Sequence, residues 1–467
     1  MKKRYYVLLS LVLLFIISIT IFALSNKKEI VYTYDETIIN NNFEYFQLGN
    51  SIESTYYYSD SYFKDSSVLE NEHLRTFALS LSLAFNPTNK KDTVNYNLDN
   101  MLEELKFKDI SYYDLEKFNK DTIGTSISHK KLNEKYDLVL VVLRGAGYSE
   151  EWDSNLDVGK SGNAKGFDES SQIVLSRLNE YLEKNKIKDY KLLVTGYSRA
   201  GAISGLVGVH INNDLSNYNI QEDNLFVYSF ESPRYSNEEK IYDNIHNVIN
   251  KNDIVTYVYP ESWGLYHSGK DEDITTESSN ILEKYLDILS SKKIKDNEEI
   301  DKQKFIKKII NILPKERKSF DEISTNIVDL YKIIISKTSN EKKEIINFFK
   351  NINLDLGNSF TLLQLIGSSD ESTTKKAFDS LMSNYDDKYS KISNVLSKDE
   401  YTRMKEDLFK IYYFLHPSLK EDYKSNKMFV MFLTFAYNTD ELLEEHYFST
   451  NLEQVQKKDS YFNINAE

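Results

Sequence analysis

The chain has 467 residues, of which 40% are hydrophobic and 28% charged, and it contains no cysteine. This composition is typical of a globular protein, and the lack of cysteine excludes disulfides, thiol catalysis and thiolate metal sites. The formal net charge of −14 argues against nucleic acid as a partner.

The N-terminus carries an export pattern. Lys2, Lys3 and Arg4 precede an uncharged run over residues 5–26, YYVLLSLVLLFIISITIFALSN, which is close to the roughly 20 residues that span a bilayer. Ala23-Leu24-Ser25 offers small residues at the spacing of a signal peptidase site. Residues 1–25 are therefore predicted to be a cleaved signal peptide or a membrane anchor. In both cases the rest of the chain is predicted to be extracytoplasmic, either secreted or tethered.

Residues 26–270 alternate between helical and strand patterns after an initial polar segment. Continuous apolar runs indicate strands buried on both faces, and apolar residues at three- and four-residue steps indicate helices. The predicted helices are Leu74–Phe85, Leu98–Phe107, Gly166–Lys184 and Ala200–His210, and the predicted strands are Asp137–Leu143, Lys191–Thr195, Asn224–Phe230 and His246–Ile249. This order predicts an α/β core with a mainly parallel sheet and helices on both faces.

The composition changes near residue 271. Up to about residue 419 the chain is dense in Lys, Glu and Asp, with helical periods in ILEKYLDILSS, FIKKIINIL and IVDLYKIIISK. We expect an all-helical insertion over residues 271–419, either a lid or cap over a lipophilic cleft or a set of solvated helices that pack on one another. Residues 420–467 are expected to return to the core.

A serine stands where one strand pattern gives way to a helix. In KLLVTGYSRAGAISGLVGVH, residues 191–210, Ser198 lies between Gly196 and Gly201. A serine at this place is either a helix N-cap or the nucleophile of a strand–turn–helix elbow. The flanking glycines favour the elbow, because they permit the close backbone approach that a tight turn needs. The amide of Arg199, at the start of the predicted helix, is then a candidate oxyanion donor.

Two further segments supply candidate partners for this serine. LRGAGYSEEW follows strand Asp137–Leu143, where a second oxyanion donor is expected, although by itself it also fits a plain strand-exit turn. In HNVINKNDIVTYVYPESWG, Asp253 follows a short apolar strand. The hydrolase order is nucleophile, acid, then histidine, so Asp253 is the candidate acid, with a simple turn residue as the alternative.

The base must be one of seven histidines. His73 and His129 precede the nucleophile, and His246 precedes the acid on a strand. His210 lies roughly 18 Å from Ser198 along its helix, and His416 falls in an aromatic helical segment, so these five fit poorly. His267 and His446 remain, and chain order does not choose between them.

Taken together, these segments resemble the class 3 lipase family of α/β-hydrolases, in its bacterial branch. The matching pieces are VVLRGAGYSEEWDSNLDVG, Gly166-Phe167, LLVTGYSRAGAISGL, YSFESPR and NKNDIVTYVYPESWG, and LLEEHYFSTNLEQV resembles the C-terminal segment that carries the family's histidine. The resemblance implies Ser198 as nucleophile, Asp253 as orienting acid and His446 as base, with His267 as the runner-up. It places the oxyanion hole at the amides of Ala146 and Arg199.

Four positions depart from the family pattern. Ala200 stands where glycine is usual, Tyr197 and Lys165 where histidine is usual, and Ala146 where serine or threonine is usual. Because Ala146 keeps its amide but lacks a hydroxyl, low activity or a preference for different esters is expected.

The resemblance implies an exported serine hydrolase that cleaves carboxylic esters of lipids through an acyl-enzyme, with no cofactor and no metal. Its expected partners are a lipid or small ester substrate and a candidate membrane surface. Two alternatives remain open: a non-catalytic cell-surface binding protein on a hydrolase scaffold, and an acyltransferase that uses the same triad.

Overall fold

The structure is a computed structural model that describes residues 31–47, 50–85, 95–115, 122–145, 151–275, 316–338, 340–345, 347–348, 370–421, 446 and 448–463, with isolated positions between 303 and 313. The predicted signal peptide or anchor, residues 1–25, and the ILEKYLDILSS helix lie outside the described residues. Within the described ranges, no helix combines the length and apolarity needed to cross a membrane. The N-terminal export segment therefore stays a prediction.

Nine strands form two sheets. They are β1 (Ile39–Gln47), β2 (Asn50–Tyr58), β3 (Lys108–Tyr113), β4 (Thr125–Lys131), β5 (Asp137–Leu143), β6 (Tyr190–Tyr197), β7 (Leu225–Phe230), β8 (Tyr242–Ile249) and β9 (Gly269–Asp273) in the described part of the chain. The hairpin β1–β2 is antiparallel, and the other seven strands follow one another in chain order across a single sheet. Strands β5 to β9 are parallel, and β3 and β4 add an antiparallel edge. The predicted mainly parallel α/β sheet is confirmed.

Helices cover both faces of the large sheet. Their bounds are α1 (Glu72–Ala84), α2 (Tyr96–Glu104), α3 (Trp152–Leu156), α4 (Lys165–Asn185) and α5 (Arg199–Asn213). Side chains of β5 alternate between two apolar clusters, because successive residues of a strand point to opposite faces. Val139 and Val141 join the cluster under α4 and α5, whereas Leu138 and Leu140 join the cluster under α1 and the hairpin.

Helix α5 packs close to the core because it is rich in small residues. At Gly205, a side-chain carbon would lie 2.2 Å from the ring of Tyr235, so no larger residue fits without displacement. This explains why a segment with poor helix formers is nevertheless helical, since its stability comes from packing rather than propensity.

The region beyond β9 is helical where the structure describes it. The helices are α6 (Arg317–Asp321), α7 (Ser324–Ile335), α8 (Glu371–Asp386) and α9 (Lys398–Glu421), and the predicted IVDLYKIIISK helix lies largely in α7. Helices α7, α8 and α9 share a third apolar cluster that includes Leu330, Met382 and Met404. The division into a core and an insertion stays a prediction, and β9 spans the expected boundary at residues 270–271.

The helical region is attached to the core near its start. The guanidinium of Arg317 donates to the backbone carbonyls of Gly159 at 2.8 Å, Gly162 at 2.6 Å and Asn163 at 2.7 Å. The Phe320 ring lies 5.0 Å from the ring of Trp263, inside the cluster under α4 and α5. Helix α6 is thus part of the core packing.

The C-terminal segment returns to the opposite face of the sheet. Helices α10 (Phe448–Lys457) and α11 (Ser460–Asn463) contact α1. The Tyr461 ring stacks on the ring of His73 at 3.6 Å, and Gln456 donates to Ser54 of the hairpin at 3.1 Å. The hairpin and α1 therefore hold the end of the described chain.

The first described residues contact the end of the sheet at which the parallel strands begin. The ring of Tyr34 lies 5.7 Å from the ammonium of Lys191, the second residue of β6. The ring of Tyr32 lies 5.9 Å from the ring of Tyr136, just before β5.

Candidate active site

Ser198 occupies a sharp turn between β6 and α5. Its backbone has φ 58° and ψ −123°, a conformation that costs a non-glycine residue about 1–3 kcal/mol. Its amide donates to the carbonyl of Phe230 on the neighbouring strand at 2.8 Å, which holds the turn in place. The side chain makes no helix-capping hydrogen bond and is partly exposed. Ser198 thus stands at the N-cap position without capping the helix through its side chain, and its backbone has the geometry of a strand–turn–helix elbow.

The glycines around the turn are required by close contacts. A side-chain carbon at Gly196 would lie 2.4 Å from the carbonyl oxygen of Ala200, and one at Gly201 would lie 2.7 Å from that of Phe230. Ala200 itself is fully buried. The turn thus accommodates alanine at the position where the family pattern has glycine.

Three side chains meet at the end of the sheet where the parallel strands finish. Nε2 of His446 lies 2.8 Å from Oγ of Ser198, and its Nδ1 lies 2.5 Å from Oδ2 of Asp253. Asp253 follows β8 and is fully buried, and its Oδ1 accepts the amide of Val255 at 2.9 Å. When Nδ1 donates to this carboxylate, the lone pair of Nε2 faces Ser198.

His267 has other partners. Its Nε2 donates to the backbone carbonyl of Ser232 at 3.0 Å, and its ring lies 5.9 Å from that of Tyr235. Burial and the nearby charge of Arg234 lower the pKa of His267 to about 4, so the ring is neutral at physiological pH. The structure brings His446, rather than this runner-up, to Ser198.

Four other histidines pair with side chains elsewhere in the fold. His73 bonds Asp459, His129 bonds Tyr181, His210 bonds Asp168 and His246 bonds Glu272. His416 belongs to α9, and the contacts of its side chain lie outside the described part of the structure.

Only one of the two expected oxyanion donors falls within the described residues. Arg199 is the first residue of α5, where backbone amides have no partner within the helix. Its side chain is buried and donates to Oγ of Ser154 at 2.8 Å, which ties α3 to the elbow. Ala146 lies outside the described residues.

The ends of the loop that contains Ala146 are nevertheless described. Arg144 and Glu151, on either side of residues 146–150, are both fully buried and form an ion pair at 3.0 Å. At Gly145 a side-chain carbon would lie 3.1 Å from the carbonyl of Tyr197, so the chain leaves β5 directly beside the elbow. Gly145, the residue before Ala146, therefore lies next to the elbow that carries Ser198.

Among the described residues, Glu72, His73 and Asp459 offer one ligand atom each within 4.8 Å of one another. Their polar atoms already bond within the protein: Nδ1 of His73 to Asp459 at 2.7 Å, and Oε1 of Glu72 to the hydroxyl of Ser460 at 2.6 Å. This cluster joins α1 to the C-terminal segment. The expectation that no metal or cofactor takes part stays a prediction.

The comparisons with known proteins agree with the elbow region. Residues 140–263 match a family model described as Lipase (class 3), which confirms the resemblance indicated by the motifs. The comparison with curated proteins finds no match.

Several solved lipase structures are similar to this chain. The lipase from Rhizopus microsporus var. chinensis is 19% identical with a TM-score of 0.33, and the alignment covers 44% of this chain and 77% of that one. Lipase II from Rhizopus niveus is 17% identical with a TM-score of 0.34, covering 44% and 83% respectively. Similarity at this level supports no conclusion about activity. The fold assignment comes instead from the order and direction of the strands.

Proposed function

We propose that this protein is an exported serine hydrolase that cleaves carboxylic esters of lipids through an acyl-enzyme. The observation that carries the proposal is the continuous hydrogen-bonded chain from Oγ of Ser198 through His446 to the buried carboxylate of Asp253. A hydroxyl, an imidazole and a carboxylate in this order form the minimal unit of nucleophilic acyl transfer. The class 3 lipase match over residues 140–263 supports ester carbonyls as the reacting group.

The first half of the reaction follows from the positions of these atoms. Oγ of Ser198 attacks the ester carbonyl carbon while Nε2 of His446 takes the hydroxyl proton. Asp253 stabilises the resulting imidazolium through its bond to Nδ1. The carbonyl oxygen becomes an oxyanion that the amide of Arg199, and by family resemblance that of Ala146, would bind.

The second half releases the products. Nε2 of His446 gives its proton to the leaving alcohol as the carbon–oxygen bond breaks, which leaves the acyl group on Ser198. Water then attacks the acyl carbon and gives its proton to Nε2. Collapse of the second oxyanion frees the carboxylic acid, and the proton returns to Oγ of Ser198.

The strained backbone of Ser198 also supports catalysis over a binding role. A turn that costs about 1–3 kcal/mol persists where the surrounding structure enforces it, and such turns cluster at functional sites. A binding scaffold would need neither the strain nor a histidine at 2.8 Å from the hydroxyl. We therefore rank hydrolysis above the non-catalytic alternative.

The test compares the mature protein with Ser198→Ala on p-nitrophenyl esters of short and long acyl chains. We expect a loss of at least about 10³-fold in kcat for Ser198→Ala. A fluorophosphonate probe should label the wild-type protein at Ser198. The exposed Ser216 serves as the matched control, since Ser216→Ala should change neither readout. Equal hydrolysis by wild type and Ser198→Ala would exclude the proposal.

The acyltransferase alternative is separated by its products. With an alcohol or amine acceptor present, a hydrolase releases mainly free acid, whereas an acyltransferase releases mainly the acyl-acceptor product. The proposal predicts free acid as the main product.

A further inference from the structure

The residue before the nucleophile reaches the residue that carries the base. The hydroxyl of Tyr197 donates to the backbone carbonyl of His446 at 2.7 Å, and the two rings lie 5.3 Å apart. The side-chain amide of Asn451, in α10, donates to the same hydroxyl at 2.5 Å. The direction of this relay is fixed, because a carbonyl oxygen can only accept.

The phenol of Tyr197 remains a donor at any working pH. The side chain is 1% exposed, and burial, together with the negative charges of Glu231 and Asp253, raises the pKa of Tyr197 well above its usual value. Its proton is therefore retained in alkaline solution. The hydrogen bond to His446 persists throughout the range in which a histidine base can act.

The contact matters because the base and the nucleophile come from distant parts of the chain. His446 follows Ser198 by 248 positions, so no local turn fixes their separation. Tyr197 ends β6 and is covalently joined to Ser198, and β6 lies between β5 and β7 in the sheet. The hydroxyl of Tyr197 thus binds the backbone of the histidine to the same strand end that carries the nucleophile.

We propose that Tyr197, supported by Asn451, is a positioning residue that holds His446 in line with Ser198. This inference rests on the proposed function, because it concerns the efficiency of the proton transfer from the serine. Displacement of a catalytic group by about 1 Å can cost roughly 100-fold in rate. Loss of the clamp should therefore lower kcat and leave ester binding unchanged.

The chain supplies a matched control at the other end of the same strand. Tyr190 begins β6, is 3% exposed, and donates from its hydroxyl to the backbone carbonyl of Tyr218 at 2.6 Å. Tyr190→Phe and Tyr197→Phe thus remove the same type of buried hydrogen bond from one strand. We expect a somewhat larger loss in melting temperature from Tyr197→Phe, because it also removes the hydrogen bond from Asn451.

The activities of the two variants should differ. Tyr197→Phe is expected to lower kcat by about 10- to 100-fold with KM unchanged, whereas Tyr190→Phe keeps both within about twofold. The proton on Nδ1 of His446, in a 2.5 Å hydrogen bond, should give a strongly deshielded proton NMR signal that Tyr197→Phe alone weakens or moves upfield. Should Tyr197→Phe fail to fold, Asn451→Ala gives the same comparison with a smaller expected loss in kcat.

The outcomes separate the two proposals. If Ser198→Ala is inactive but Tyr197→Phe matches Tyr190→Phe in kcat and in the NMR signal, the positioning role is overturned and the hydrolase proposal stands. If Ser198→Ala remains as active as the wild type, the hydrolase proposal itself fails. If Ser198→Ala and Tyr197→Phe both lose kcat while Tyr190→Phe does not, the positioning role and the hydrolase proposal are both supported.

Discussion

Asp253 and His446 form a hydrogen bond of 2.5 Å although 193 positions of sequence separate them. The second oxygen of Asp253 is engaged by the amide of Val255, and the side chain has no exposed surface. The carboxylate therefore cannot rotate freely, and it selects the imidazole tautomer whose free lone pair faces Ser198. In the proposed mechanism, the orientation of the base depends on this buried acid.

Asp253→Asn should therefore reduce kcat by about 10³- to 10⁴-fold, because an amide can donate to Nδ1 and stabilise the wrong tautomer. Steady-state kinetics on a p-nitrophenyl ester measures the loss. The matched control is Asp459→Asn, since Asp459 is also buried and bonds a histidine, His73, at 2.7 Å. That variant should cost stability and keep kcat within a few-fold. Equal kinetic losses in both variants would contradict an orienting role for Asp253.

A second prediction concerns stability below neutral pH. His267 has a pKa of about 4 in the native state, against about 6.5 in the unfolded chain. As pH falls from 6.5 to 4, the unfolded chain binds a proton that the native state does not. The free energy of unfolding should therefore decrease across this window, by on the order of 3 kcal/mol in total. Urea unfolding at several pH values measures the slope, and His267→Gln should reduce it.

The same variant tests the choice of base. His267→Gln is expected to hydrolyse esters with nearly wild-type kcat, because the ring of His267 bonds the carbonyl of Ser232 rather than Ser198. His446→Gln is expected to lose about 10³-fold or more. The reverse ranking would assign the base to His267.

A third prediction concerns the elbow. Gly196→Ala places a carbon 2.4 Å from the carbonyl oxygen of Ala200, so the turn must shift. We expect a loss of about 1–3 kcal/mol in unfolding free energy and a large fall in kcat. Gly264→Asn is the control, because Gly264 has φ +69° and open space around it, and asparagine tolerates that conformation. Wild-type activity in Gly196→Ala would contradict the described turn.

A fourth prediction concerns the attachment of the helical region. Arg317 donates to several backbone carbonyls of the 158–163 loop, and these acceptors would lose their partner in Arg317→Ala. We expect a loss of about 2–4 kcal/mol, measured by urea unfolding. Arg317→Lys should recover only part of it, because an ammonium cannot reproduce the planar fork of donors. The exposed Lys318 on the same helix provides the control, and Lys318→Ala should have little effect.

The sequence predicted the buried parallel strands well and the edge strands poorly. Strand β5 has the expected bounds, because DLVLVVL is buried on both faces and its apolar run records that burial directly. Strands β3, β4 and β9 read KDISYY, TSISHKK and GKDED, and β1 and β2 mix asparagine, glutamate and tyrosine. Strands β3 and β9 lie at the edges of the sheet, and the buried part of β4 is mostly polar, so no continuous apolar run marks these segments.

The candidate site shows the same limit. Ser198 and Asp253 lie at strand ends, where local pattern and chain order indicate them. No local pattern indicates His446, and chain order did not choose between it and His267. Its position depends on the hydrogen bond from the hydroxyl of Tyr197, a residue 249 positions earlier, which sequence spacing cannot relate to it.

The entry of the chain beside Lys191 has a consequence for how the protein faces its surroundings. Lys191 and Ser198 stand near opposite ends of β6, and a strand of eight residues is about 26 Å long. If residues 5–26 are retained in a bilayer, the tether would join the described fold near the Lys191 end of β6, about one strand length from Ser198. In such an arrangement, we expect esters in the surrounding medium or on an apposed surface to reach Ser198 more readily than those of the membrane that holds the protein.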